Sequence, residues 1–85
     1  MPIGGFVVSV LPEDSKKAQD DLMSLNGLEI HGSDEKGNII VVLDTNTSKE
    51  MEELVEKMMR MKRVLNVGLT YLNAEDELDG QKIIS

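Results

Sequence analysis

Residues 38–44 read Asn38-Ile39-Ile40-Val41-Val42-Leu43-Asp44. Five consecutive aliphatic residues, four of them β-branched, predict a β-strand. A strand points alternate side chains to opposite faces. Ile39, Val41 and Leu43 therefore share one face, and Ile40 and Val42 share the other. Both faces are apolar. A small two-layer domain covers one face of its sheet with helices. What covers the second face is the question on which the functional reading turns.

On the N-terminal side, Leu28–Ser33 alternates Leu28 and Ile30 with Glu29 and His31, as a short strand would. Asp34-Glu35-Lys36-Gly37 is a polar turn, so the two strands form an antiparallel hairpin. Residues 3–11, IGGFVVSVL, predict another strand, with Phe6, Val8 and Val10 on one face and Val7, Ser9 and Leu11 on the other. Pro12 ends it. Glu13 and Asp14 follow where acids favour a helix N-terminus. A helix is expected to about Leu25, with Ala18, Leu22 and Leu25 inward, and Asn26-Gly27 stops it. On the C-terminal side, Thr47 and Glu50 form a T-x-x-E capping box. It opens a helix over residues 48–62 with Met51, Leu54, Val55, Met58 and Met61 on its apolar stripe. Val64–Leu72 predicts the last strand, where Val67, Leu69 and Tyr71 alternate with Gly68 and Thr70.

The order βαββαβ predicts an α+β, ferredoxin-like plait: a four-stranded antiparallel sheet with two helices on one face. A single domain is expected over residues 1–73, followed by an acidic and loose tail over residues 74–85. If Ser33 faces Asn38 across a four-residue turn, Ile30 pairs with Val41 and Leu28 with Leu43 on the helix-covered side. His31 then pairs with Ile40, and Glu29 with Val42, on the bare side. A bulge at Gly37 would exchange the two sets. In the first register the bare face offers Val7, Leu11, Ile40 and Val42, with Ser9 among them. Glu29 and His31 lie toward one edge, and Asn66 and Thr70 toward the other. Four such aliphatics, at ~1.5–3 kcal/mol each when fully buried, can drive docking of a short apolar element. Bare β-propensity or a homodimer are the alternative explanations of the same face.

Composition narrows the function classes. The chain has 85 residues and a net charge of −7, from sixteen acids and nine bases. That argues against nucleic acid, whose phosphates it would repel, and favours a cationic partner. There is no cysteine, which removes disulfides, thiol chemistry and cysteine metal sites. No segment approaches the ~20 apolar residues of a membrane helix, and the N-terminus lacks the basic start of a secretory signal. A cytoplasmic protein with no stable membrane insertion is expected. Met58, Met59 and Met61 read as core packing more than as a soft metal site, with Met59 pointing outward. His31, the one histidine, has only Glu29 as a neighbouring acid–base partner. Gly4-Gly5 precedes a strand, which is the wrong place for a phosphate-binding loop. No catalytic constellation, metal or cofactor emerges, and an enzyme is not expected.

The stretch LNGLEIHGSDEKGNIIVVLDT, an acidic amphipathic helix, and VLNVGLTYLNAED together resemble the NapD family over about residues 5–76. Gly27, Glu29-Ile30, Gly37, Ile39–Leu43, Val64-Leu65, Val67, Leu69 and Tyr71 carry the likeness. The resemblance implies a ferredoxin-like fold and a cytoplasmic assembly chaperone of the periplasmic nitrate reductase. It implies binding to the twin-arginine (Tat) signal peptide of the catalytic subunit, NapA. Export would be held back during maturation and molybdenum cofactor insertion, without chemistry by the chaperone. Such a peptide has a basic end and an apolar stretch, which match an acidic protein with an apolar sheet face. Val7, Leu11, Glu29, Ile40 and Val42 are then the expected peptide-binding residues, with Glu29 as an arginine partner and Ser9, His31 and Thr70 in support. A monomer or weak dimer is expected. The rival readings are a small-molecule-sensing regulatory βαββαβ homodimer and a structural subunit that seals its face by self-association.

Overall fold

In the computed structural model of the chain, residues 1–73 are described. The expected tail over residues 74–85 lies outside them. The strands are β1 (Ile3–Val10), β2 (Leu28–Ser33), β3 (Asn38–Asp44) and β4 (Val64–Asn73), and the helices are α1 (Ser15–Met23) and α2 (Ser48–Arg60). The sheet order is β2-β3-β1-β4 with every neighbouring pair antiparallel. This is the βαββαβ ferredoxin-like arrangement read from the sequence.

Each element has a local cause. Pro12 closes β1 and opens a 3₁₀ turn over Pro12–Asp14 that leads into α1, so the expected α-helix starts one turn late. It also ends early, at Met23, where the Leu25 N–H turns back to the Leu22 carbonyl at 3.0 Å. α2 opens as the capping box predicts: the Glu50 N–H donates to Thr47 Oγ1 at 3.1 Å. The returning Glu50 carboxylate accepts the Asn46 N–H, one residue before the cap. The helix stops at Arg60, two residues short of expectation, because Met61 is already extended.

The core lies between the helices and one sheet face. Phe6, Val8 and Val10 of β1, Leu28 of β2 and Ile39, Val41 and Leu43 of β3 meet Ala18 and Leu22 of α1 and Met51, Leu54 and Met58 of α2. Met58 is fully buried and Met59 is exposed, as the helical stripe requires. β3 is therefore the strand whose two sides differ most: Ile39, Val41 and Leu43 are sealed, while Ile40 and Val42 are not.

The hairpin register differs from the simple expectation at its tip and agrees at its base. The Asp34 N–H donates to the Asn38 carbonyl at 3.0 Å, so the loop is three residues, with Gly37 at φ +94. Ser33 consequently pairs with Ile39 and not Asn38, and Gly32 pairs with Ile40 where His31 was expected. A bulge at His31 then removes the offset, and Ile30–Val41, Glu29–Val42 and Leu28–Leu43 pair as predicted. The two irregularities compensate because β3 is already fixed by β1: Val7 opposes Ile40 and Gly5 opposes Val42.

Candidate functional site

The face of the sheet away from the helices is built from the second parity of each strand. Across it, Asp44 of β3, Ile3 of β1 and Asn73 of β4 form one row. Glu29, Val42, Gly5 and Tyr71 form the next. Gly32, Ile40, Val7 and Gly68 follow, and Asn38, Ser9 and Asn66 close the far end. Five apolar side chains thus share the face: Ile3, Val7, Ile40, Val42 and Tyr71. Val7 and Val42 are half-buried, Ile40 is 39% exposed and Tyr71 49%.

The expected site residues fall as follows. Val7, Ser9, Ile40 and Val42 lie side by side at the centre and far end of this face. Glu29 stands at the β2 edge beside Val42, and its Oε1 meets His31 Nε2 at 3.1 Å. Both groups of that pair are mostly exposed, so it is weakly held. Leu11 lies one residue beyond β1, extended and exposed, and its carbonyl accepts the Asp14 N–H. It continues the parity of Val7 and Ser9 past the end of the paired strand. Thr70 sits at a bulge of β4 and donates its hydroxyl to the Gly5 carbonyl at 2.9 Å, so that hydroxyl is already committed.

Three further residues belong to the face. Tyr71 was expected beside Val67 and Leu69, but the bulge at Thr70 turns it to the open side. There its ring lies on Gly5, in the space that any β-carbon at that position would fill. Ile3 and Asp44 complete the near end. The signal for the bulges is one of length: ten residues in β4 must pair with the eight of β1.

The electrostatics of the sheet are one-sided. Among the strand residues there is no lysine or arginine, and the acids are Glu29 and Asp44. Both fall on the open face, at the same end of neighbouring strands. The lysines and arginines of the described chain lie in the helices and connections.

A second apolar surface was not expected from the sequence. α2 and β4 leave a groove of about 350 Å³ between them, floored by Phe6, Met51, Val55, Leu69 and Leu72 and rimmed by Glu52 and Glu56. Leu69 and Leu72, on the edge strand β4, are 58% and 54% exposed. A polar hollow of about 320 Å³ lies by the loops that enter β2 and α2. Among the described residues, no group of three or more histidine, aspartate and glutamate side chains could hold a metal ion. None of the described helices is long and apolar enough to cross a membrane.

The family model described as NapD protein matches residues 1–76. The chain belongs to the NapD family. The solution structure of the E. coli Tat proofreading chaperone protein NapD superposes with a TM-score of 0.78 at 25% identity, over 98% of this chain and 87% of that one. No curated protein matches the sequence. The likeness to NapD therefore covers the whole sheet, both helices and the open face.

Proposed function

We propose that this NapD-family protein is a cytoplasmic chaperone that binds the twin-arginine signal peptide of the periplasmic nitrate reductase catalytic subunit. It binds the peptide on the open sheet face and holds back its export during maturation and cofactor insertion, and it catalyses no reaction. The observation that carries this reading is the composition of that face: five apolar side chains together with both acids of the strands, which carry no lysine or arginine. The basic end of the peptide is drawn to a protein of charge −7. Its apolar stretch can lie as a helix on Val7, Ile40 and Val42, where burial supplies the gain in free energy. Family membership and the named activity of the solved relative support the same partner.

Titration calorimetry with a synthetic twin-arginine peptide tests it. Binding should weaken when both arginines are replaced by glutamine, and also at high salt, where screening reduces the charge contribution. The double variant Ile40→Ser, Val42→Ser should lose at least about tenfold in affinity while keeping its far-ultraviolet circular dichroism. Full affinity in that folded variant would place the peptide elsewhere. A stable dimer that tightens with an amino acid and ignores the peptide would favour the ligand-sensing rival.

A further inference from the structure

The charges on the open face are not only of one sign; they are gathered at one corner. Glu29 pairs with Val42, and Asp44 is two residues further along the same strand on the same face. Such diagonal neighbours in a sheet lie about 7–8 Å apart at their Cα atoms. Asp44 is exposed, with Ile3 opposite it and Val42 two residues before it on this face. The opposite end carries Asn38, Ser9 and Asn66, which are uncharged, and the Asp34 carboxylate beside Asn38 is committed to three hydrogen bonds of the turn. From Gly5 to Leu11 the apolar side of the face runs about 20 Å at a strand rise of ~3.3 Å per residue. That is the length of roughly 13 helical residues.

We infer that the bound peptide has a fixed polarity, with its paired guanidinium groups over Glu29 and Asp44 and its apolar run directed along β1 toward Ser9 and Leu11. This rests on the peptide-binding reading and adds the direction of the peptide and a second arginine partner, Asp44. Adjacent arginines leave a helix about 100° apart, and their long side chains can each reach one of two carboxylates at this spacing. A carboxylate accepts a guanidinium through two parallel N–H donors. At Glu29 the incoming arginine replaces His31, whose contact is exposed. The reverse orientation would put two cations over asparagine and serine, beside an Asp34 carboxylate already taken up by the turn, and leave both acids unanswered. The Tyr71 ring lies over Gly5 at the acidic end of the path, and Gly68, where a β-carbon would meet nothing within 4 Å, leaves room for a bulky apolar side chain next to Val7.

The test is nuclear magnetic resonance on the full chain with a twin-arginine peptide carrying a nitroxide just before its arginines. Broadening should centre on the amides of Ile3, Glu29 and Asp44. Broadening at Ser9, Asn38 and Asn66 overturns the polarity, and broadening at Val55, Leu69 and Leu72 moves the peptide to the groove between α2 and β4. A calorimetric arm separates local from general charge. Asp44→Asn should raise Kd about threefold to fivefold for the two-arginine peptide. It should raise Kd less for a peptide with one arginine replaced by glutamine. Asp20→Asn, an equal change of net charge on α1, should have a smaller effect than Asp44→Asn. Equal losses from Asp20→Asn and Asp44→Asn overturn the assignment of Asp44. Absence of any binding by the unaltered protein overturns the peptide reading itself, which the orientation result alone does not.

Discussion

The two faces of the sheet are made from the same strands and nearly the same residue types, yet only one is a core. On β3, Ile39, Val41 and Leu43 are fully buried, whereas Ile40 and Val42, their immediate neighbours, remain partly open. On β1, Phe6, Val8 and Val10 are sealed under the helices while Val7 is not. Hydrophobicity along the strand does not distinguish the two sets. What distinguishes them is the partner layer: α1 and α2 bring Ala18, Leu22, Met51, Leu54 and Met58 to one side and nothing to the other. An apolar side chain stabilises the fold only where something apolar meets it. The comparison thus separates residues used for folding from residues left for a visitor, within one heptapeptide.

The sharpest way to break this contrast is to make matched cuts on either side. Leu43→Ala removes a fully buried side chain from the core, and should cost about 2–5 kcal/mol in urea-unfolding free energy. Ile40→Ser on the open face should cost clearly less, about 1 kcal/mol in the same measurement, since Ile40 is partly exposed and lies outside the core cluster. Similar losses at both positions would mean that the open face is also a structural core. Between these extremes stands Gly5→Ala. Its new methyl would occupy the place of the Tyr71 ring, so the ring must leave or the strand must shift, at about 1–3 kcal/mol. Tyr71 is the only tyrosine and the chain has no tryptophan, so intrinsic tyrosine fluorescence reads its displacement directly. An unchanged emission spectrum and quenching constant would show that the ring does not rest on Gly5.

Much of this was legible in the sequence, and the exceptions share a physical cause. The element order, the core stripe of α2 and the two parities of β3 follow from periodicity alone, because side-chain direction alternates strictly along an unbroken strand. His31 and Tyr71 escaped because each lies at or next to a bulge. A bulge is a relation between two strands and leaves no periodic trace in either one. At His31 the bulge cancels the offset of a three-residue loop closed by Gly37, so the base of the hairpin obeyed the simple register for a reason the sequence did not display. At Thr70 no later irregularity cancels the bulge, and Tyr71 changes sides. Asp44 was missed as a face residue because it reads as the polar end of a strand; its side is defined only by the pairing with Ile3. The groove between α2 and β4 depends on how a helix and an edge strand pack against each other, which no local pattern records.

The smallest expected effect tests the turn that holds the hairpin tip and hence the offset at His31. Asp34 accepts three hydrogen bonds: Asn38 Nδ2–H on Oδ2, and the Asn38 and Lys36 backbone N–H groups on Oδ1, each at 2.9 Å. The Asn38 side chain foremost, then these N–H groups, hold the Asp34 carboxyl below its ordinary value of 3.8. A carboxyl whose folded pKa is depressed contributes stability that is present above its unfolded pKa and is lost as pH falls through the folded one. The contribution of Asp34 should therefore be intact at pH 5 and fade below about pH 3.8. Asp34→Asn keeps the shape but removes the charge that draws these donors. Urea midpoints measured from pH 5 to pH 3 should converge between the unaltered protein and the variant as the acid side is approached. The carboxylate is fully exposed, so the gap at pH 5 is expected to be small beside the core cut at Leu43. A constant gap across that range would show that the Asp34 charge does not hold the turn, and that Gly37 and the backbone bond from Asp34 to Asn38 fix the loop unaided.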